Sequence, residues 1–315
     1  MTRVAVLDDY LRVAEDMAPW RDLLPGAEVV YFRDRLDGVA QAATALRDFA
    51  VVVAMRERTA FPAELLRRLP QLRLLVTTGM RNAAIDVTAA KELGITVCGT
   101  GARGASTAEL TWALILALLR PVQLDDRHLR DGGWQRQLGG DLAGRTLGLV
   151  GLGRQGGRVA RVARAFDMNV IAWSPHLTPE RAAEQGAECV SKQDVFARAD
   201  VASVHLVLGD ATGGIVGEPE LRALGPASYL INTARAALVD QAALRSALFA
   251  GWIAGAGLDV YQTEPLPAGH WLRTAPRTLL SPHMGYVSGN GYRVFYADAA
   301  ADIAAYLRGE PVRTL

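Results

Sequence analysis

The segment Gly151-Leu152-Gly153-Arg154-Gln155-Gly156 sets three glycines at the spacing G-x-G-x-x-G. It follows the apolar run Leu147–Val150 directly and opens a stretch of helical character from Gly157 to Phe166. The chemistry such a segment offers is phosphate binding. The first glycine permits a tight turn, the second lets backbone approach a pyrophosphate, and the third allows close helix packing. The free N–H groups and positive dipole end of the helix face the anion. The motif alone is weak, but a strand before it and a helix after it, in a βαβ-sized unit, are the context that marks a dinucleotide site. Two further side chains could hold an anion or move a proton: Arg235 in Ile231-Asn-Thr-Ala-Arg235, and His283 in Ser281-Pro-His283-Met-Gly285. A lone arginine usually pairs at the surface and a lone histidine is usually structural. Each of these, however, follows a predicted strand of the nucleotide-binding unit, where open α/β sheets place their ligands.

The acidic residue expected roughly 20 residues beyond the glycine loop, where it would hold the ribose 2′-hydroxyl of NAD, is missing. The second strand ends Ile171-Ala-Trp-Ser174-Pro-His176, with Ser174 in the acid's place. Without the carboxylate's repulsion a 2′-phosphate becomes admissible, and Ser174, His176 and Arg154 could hold it. A serine can also hydrogen-bond a diol, so the cofactor is NAD or NADP, with a slight lean to NADP. Pro175 stiffens this turn and no arginine follows Ser174 directly, so the expected preference is modest.

The elements that must position these groups alternate strand and helix. In the first third, Val4–Leu7, Val29–Phe32, Val51–Ala54, Leu74–Thr77 and Thr96–Cys98 read as strands. Helices include Ala63–Leu69 and Val87–Leu93. A second alternation runs through Leu147–Val150, Val170–Trp173, Val201–Leu206, Tyr229–Asn232, Ala254–Leu258 and Thr278–Leu280. Apolar, β-rich runs between helices predict parallel sheets covered on both faces, an α/β architecture of two layers in succession. Between them lies a long helix, with Ser106-Thr-Ala-Glu109 as a capping box and Pro121 as a kink. A last helix over about Tyr292–Leu307 is stopped by Gly309 and Pro311, and pattern alone assigns it to neither layer.

The 315 residues suffice for one large or two ordinary domains, and half of them are apolar. The net charge of +1, from 34 basic and 33 acidic side chains, marks no nucleic-acid or membrane surface. The basic residues are nearly all arginine, lysine standing only at Lys91 and Lys192. Cys98 and Cys189 give neither a disulfide framework nor a metal-ligand spacing, and both read as small buried hydrophobes. No metal is expected. The opening strand does not resemble a signal peptide, and the apolar run Leu110–Leu119 is too short to cross a bilayer. A cytoplasmic setting is the expectation.

The glycine loop, Trp134, Ile231–Arg235, Gly257-Leu-Asp259-Val-Tyr-Gln-Thr-Glu264-Pro265 and Ser281–Gly285 together resemble the D-isomer-specific 2-hydroxyacid dehydrogenases, along the whole chain. The resemblance implies a Rossmann domain of doubly wound parallel sheet, residues 100–283, inserted in a flavodoxin-like substrate domain made of residues 1–99 and 284–315. It implies hydride transfer between NAD(P)H and a small 2-keto or D-2-hydroxy acid, with glyoxylate or hydroxypyruvate reduction as the specific activity. Arg235 would bind the substrate carboxylate and keto oxygen through paired donors. His283 would be the general acid for reduction and the base for oxidation. Glu264 would orient His283 and favour its imidazolium. Asp259 would hold the nicotinamide end, Thr107, Thr233 and Ala234 would line the ring, and Leu206, Val207, Thr212 and Gly285 complete the cofactor residues with the loop and Ser174–His176. His205, which begins the Leu206-Val207 segment, reads as structural.

Substrate residues would come from Met55, closing the pocket wall, and from Gly79, Met80 and Arg81 in the first-domain loop. That loop departs from the family pattern: Arg81 stands where a second glycine is common, and a cation there could recognise a second acidic group. Other departures are Ala236 for a usual glycine and Val207 for a usual proline. A twofold homodimer through the cofactor domain is expected from the family. The alternatives are a dinucleotide-binding corepressor built on the same fold, or a dehydrogenase acting on phosphite or formate. Glu264 argues against formate, whose enzymes pair their histidine with glutamine.

Overall fold

The computed structural model describes residues 1–102 and 104–315. The chain divides into two compact units, Met1–Arg103 with Ser288–Leu315, and Gly104–Val287. The first unit begins with β1 (Arg3–Val6), α1 (Trp20–Leu23), β2 (Glu28–Tyr31), α2 (Gly38–Leu46), β3 (Val51–Ala54), α3 (Ala63–Arg67), β4 (Leu74–Thr77), α4 (Val87–Glu92) and β5 (Thr96–Gly99). Its strands form a parallel sheet in the order β2-β1-β3-β4-β5. Strands β3 and β4 are buried along their whole length, which is why they read as unbroken apolar runs rather than alternating ones.

The second unit opens with α5 (Ser106–Leu119) and α6 (Val122–Arg130). The alternation then runs β6 (Thr146–Val150), α7 (Arg154–Ala165), β7 (Asn169–Trp173), α8 (Pro179–Glu184), β8 (Glu188–Cys189), α9 (Lys192–Arg198) and β9 (Val201–Val204). It continues through α10 (Glu218–Leu224), β10 (Tyr229–Asn232), α11 (Gln241–Phe249), β11 (Gly255–Leu258) and β12 (Thr278–Leu280). Among the described residues these strands make one parallel sheet, β12-β11-β10-β9-β6-β7-β8. The chain winds outward from β6 to β8, then restarts at β9 on the other side of β6 and winds away. The junction of β6 and β9 is therefore the topological switch point, where open sheets bind their ligands.

The last helix, α12 (Gly289–Leu307), returns to the first unit and fills the assignment that pattern left open. It starts three residues earlier than the periodicity suggests, because Ser288 caps it by accepting a hydrogen bond from the Gly291 N–H at 3.2 Å. The tail beyond it lies along β5, where the Gly99 N–H donates to the Arg313 carbonyl and the Leu315 N–H to the Val97 carbonyl, both at 2.9 Å.

Two helix expectations need correction. The capping box at Ser106–Glu109 does not form: Ser106 is already the first helical residue, Ala105 precedes it in helical geometry, and no side chain caps the end. Pro121 ends the helix instead of kinking it, α5 stopping at Leu119 and α6 starting after Pro121, whose fixed φ suits the residue before a new first turn. Cys98 is buried as expected, whereas Cys189, on the short edge strand β8, is only half-buried. No helix among the described residues is long and apolar enough to cross a membrane.

Candidate active site

The phosphate loop lies at the switch point. Gly151 has φ 108°, and a Cβ on it would come within 2.9 Å of the His205 and Leu206 backbone that leaves β9. A Cβ on Gly156 would collide with the Gly151 carbonyl, so the third glycine is what lets α7 close onto β6. Gly153 has nothing within 4 Å of its Cβ position, so the loop leaves open the face a pyrophosphate would occupy. Gln155 is half-buried, and its Oε1 is buried without a hydrogen-bond partner. The loop thus fits a dinucleotide by shape: two glycines have no room for a side chain and the middle one faces open space.

A cavity of about 230 Å³ borders this loop, lined among others by Gly151, Gly153, Ser174, His176, Arg181 and His205. Ser174 is tied to the loop itself: its hydroxyl accepts a hydrogen bond from the Leu152 N–H at 3.0 Å. Arg154 is exposed, lies against Gly104 and does not line the cavity. The cation there is Arg181, on α8, which donates to the His176 carbonyl at 3.1 Å. Sequence reasoning passed over it, since it stands seven residues beyond Ser174, although Thr178 capping α8 and Pro179 in its first turn fix where the helix begins. His205 also lines the cavity, its Nε2 sharing a 2.9 Å hydrogen bond with the Ser203 hydroxyl, and burial pushes its imidazole down to about 4. In the loop after β9, Leu206 borders the same cavity and the Thr212 hydroxyl donates to the Val207 carbonyl at 2.8 Å.

The acid–base candidates gather on the other flank of the sheet, in the loops after β10, β11 and β12. His283 Nδ1 lies 2.6 Å from Glu264 Oε2, and the Tyr261 N–H donates to Glu264 Oε1 at 2.9 Å. Burial opposes ionisation of Glu264, but the hydrogen bond and charge of His283, the Tyr261 N–H and the charge of Arg235 outweigh it. Its carboxyl is held below the usual range. His283 has φ 54°, a left-handed conformation uncommon outside glycine and asparagine, in a residue whose side chain is engaged.

Asp259 holds this turn in place. Fully buried, it accepts from the Met284 N–H at 2.7 Å and the Gly285 N–H at 2.8 Å, one on each oxygen. Burial pushes its carboxyl above the usual value, against hydrogen bonds from Ser281, Met284 and Gly285 and the charge of His283. Thr107 donates to the Gly285 carbonyl at 2.8 Å. Thr111 donates to the Thr107 carbonyl at 2.8 Å and shares a 2.9 Å hydrogen bond with Thr233. Thr107, Thr233, Asp259 and Gly285, named separately from sequence, thus form one connected group. Arg235 is half-buried and donates to the Ala234 carbonyl at 2.8 Å. Asn232 shapes this turn by accepting from the Ala234 N–H and donating to the Arg235 carbonyl. Tyr261 is a further residue missed from sequence. Its hydroxyl donates to the Ser281 carbonyl at 2.8 Å, fastening the end of β12 to the turn after β11.

In the first unit, the loop after β4 is organised by Arg56 rather than by Arg81. Gly79 has φ 87°, and the Arg56 guanidinium occupies the place its Cβ would take. Arg56 Nη1 donates to the Thr78 carbonyl at 3.0 Å, and Asn82 donates to the Arg56 carbonyl at 2.6 Å. Arg81 and Met80 are exposed at the loop's tip. Met55 is 1% exposed and its sulfur accepts from the Thr78 hydroxyl at 3.4 Å, because it extends the buried run of β3.

Residues 112–285 match the family model for the NAD-binding domain of D-isomer-specific 2-hydroxyacid dehydrogenases. The chain is 39% identical to a glyoxylate reductase of Aeropyrum pernix over 257 residues, 78% of this chain and 77% of that one. It is 35% identical to the D-3-phosphoglycerate dehydrogenase of Mycobacterium tuberculosis over 281 residues, 88% of this chain but only 52% of that longer protein. A crystal structure of a phosphoglycerate oxidoreductase from Vibrio cholerae superposes with a TM-score of 0.93 at 36% identity, covering 98% of this chain and all of that one. The chain belongs to the D-isomer-specific 2-hydroxyacid dehydrogenase family, NAD-dependent oxidoreductases that act on CH–OH groups.

Proposed function

We propose that the chain reduces a small 2-keto acid, glyoxylate or hydroxypyruvate, to the hydroxy acid, and runs the reverse oxidation. The observation that carries this reading is the 2.6 Å pair of His283 and Glu264 on the same strand-end edge as the glycine loop. A bound reduced nicotinamide supplies the hydride. Because Glu264 engages Nδ1, the Nε2 of His283 is the nitrogen left to give a proton to the carbonyl oxygen as the hydride reaches its carbon. Glu264 keeps the ring turned through that contact. Arg235 binds the substrate carboxylate, its planar donors suiting that group. Asp259 and Thr107 hold Met284 and Gly285, fixing the backbone that presents His283. The name of the Aeropyrum relative supports glyoxylate as substrate.

Steady-state turnover on a panel of glyoxylate, hydroxypyruvate and pyruvate, with NADH and NADPH, tests the reading. Replacing His283→Ala should lower turnover by at least about 100-fold while dinucleotide still binds. Wild-type turnover in that variant would reject the assignment.

We also propose a twofold homodimer through the α6 region. Helix α6 buries no residue, and the segment after it leaves Trp134 75% and Leu138 100% exposed, an apolar surface a second copy would cover. A single monomeric species in sedimentation at micromolar concentration would overturn that.

A further inference from the structure

The cavity beside the phosphate loop has a chemistry of its own. Among its lining residues there is no carboxylate, whereas Arg181, His176 and Ser174 all face it. The Ser174 hydroxyl is held by the Leu152 N–H as an acceptor, which leaves its own hydrogen to donate outward. Arg181 uses one Nη1 donor on the His176 carbonyl, and no carboxylate of a described residue pairs with it. Other arginines of this unit are neutralised close by, Arg198 by Glu188 at 2.7 Å and Arg222 by Glu218 at 2.7 Å. Arg181 thus keeps most of a guanidinium fork beside a donor hydroxyl, one loop away from the turn that receives a pyrophosphate.

Resting on the dehydrogenase reading above, we propose that Arg181 and Ser174 form a receptor for the 2′-phosphate of the adenosine ribose, and that this pair selects NADPH over NADH. The argument is electrostatic and geometric. A dinucleotide whose pyrophosphate lies on Gly151–Gly156 places its adenosine ribose toward the end of β7, the strand paired with β6. An acid at Ser174 would repel a 2′-phosphate, which carries close to two negative charges. Ser174 instead donates, and Arg181 offers the planar, permanently charged donors that suit phosphate. The tether to the His176 carbonyl aims the guanidinium before the ligand arrives, so less side-chain freedom is lost on binding. Arg154 is not part of this receptor, because it lies against Gly104 outside the cavity.

The test is calorimetric titration of the purified chain with NADPH, NADH, adenosine 2′,5′-bisphosphate and ADP, which needs no turnover. Wild type should bind NADPH about tenfold more tightly than NADH, equivalent to about 1.4 kcal/mol. The Arg181→Ala variant should lose that tenfold for NADPH and for the bisphosphate while its NADH and ADP affinities stay within about twofold. Arg181→Lys should recover part of the preference, Ser174→Asp should invert it, and rising salt should shrink it, since the site is open to solvent. Equal binding of NADH and NADPH by wild type would overturn the inference and leave the dehydrogenase reading standing. So would an Arg181→Ala variant that weakens all four ligands alike, the signature of a merely structural tether. Failure of wild type to bind any of the four would overturn both.

Discussion

Replacing Glu264→Gln tests how the site controls its proton. The carboxylate now accepts two hydrogen bonds at once, from the Tyr261 N–H at 2.9 Å and from His283 Nδ1 at 2.6 Å. A glutamine has the same shape but only one acceptor oxygen. If that oxygen stays with Tyr261, the amide NH₂ faces Nδ1 and forces the ring to accept there, which excludes the doubly protonated imidazolium. If the oxygen turns to His283, the Tyr261 N–H is left against a donor. Either way one charge-assisted hydrogen bond is lost, a term of about 1.5–3 kcal/mol. Expressed in the transition state, that is roughly a 10- to 100-fold fall in kcat/KM for keto-acid reduction. Glu264→Asp, which keeps the charge but shortens the reach, should fall between. The assay is kcat/KM for glyoxylate reduction across pH 6–9, with NADH affinity as the control, since Glu264 does not line the dinucleotide cavity. A glutamine variant whose kcat/KM equals that of wild type would refute the pairing.

Two further predictions concern stability. Asp302 in α12 is fully buried and paired with Arg313 at 2.8 Å, and burial raises its carboxyl to about 6 despite that partner. A folded-state value above the unfolded one means the native state holds the proton more tightly, so this group's contribution falls as pH rises from about 4 through 6. Arg313→Met should therefore cost about 3–5 kcal/mol at pH 8 and clearly less at pH 5, where the carboxyl takes up a proton. Urea denaturation that gave the same loss at both pH values would contradict it. His205 runs the opposite way: with its imidazole pushed down to about 4 by burial, its contribution is complete above pH 6.5 and is lost as pH falls toward 4, by at most about 3 kcal/mol. His205→Asn should flatten that part of the stability curve, and an unchanged acid slope would show that another group sets it.

The parts legible in the sequence are those fixed by local physics. Strands β3, β4, β10 and β12 match their runs end to end, and β3 and β4 read as near-continuous apolar runs because they are buried along their whole length. The glycine loop was legible because Gly151 and Gly156 stand where a side chain has no room. What stayed hidden depends on distance in the chain or on the reach of a side chain. Pattern could not place α12, since its partners lie some two hundred residues earlier. Strand β8, of only two residues, carries no period to detect. Arg154 adjoins the loop in sequence but points toward Gly104, while Arg181 comes back to His176 from the next helix. Met55 follows a strand end, where a binding role is plausible, yet the buried side of β3 claims it and leaves Arg56 to fill the space above Gly79.

The sheet explains why residues more than a hundred positions apart can serve one ligand. All strands of the second unit are parallel, so every strand's C-terminal end lies on one edge, and with it the loops that carry Gly151, Ser174, His205, Arg235, Glu264 and His283. Along that edge the order β12-β11-β10-β9-β6-β7 puts His283 at one flank, the glycine turn inside and the Ser174–Arg181 pair at the other. Five strand intervals of about 4.8 Å separate the flanks, roughly 24 Å. A mononucleotide reaching the glycine turn from β7 would stop short of His283. A dinucleotide continues across β9 and β10 toward the turn that Asp259 and Thr107 hold together. The reversal of winding at β6 and β9 opens the crevice in the middle of this line, and that is where a ligand with a charged centre and two extended arms must lie.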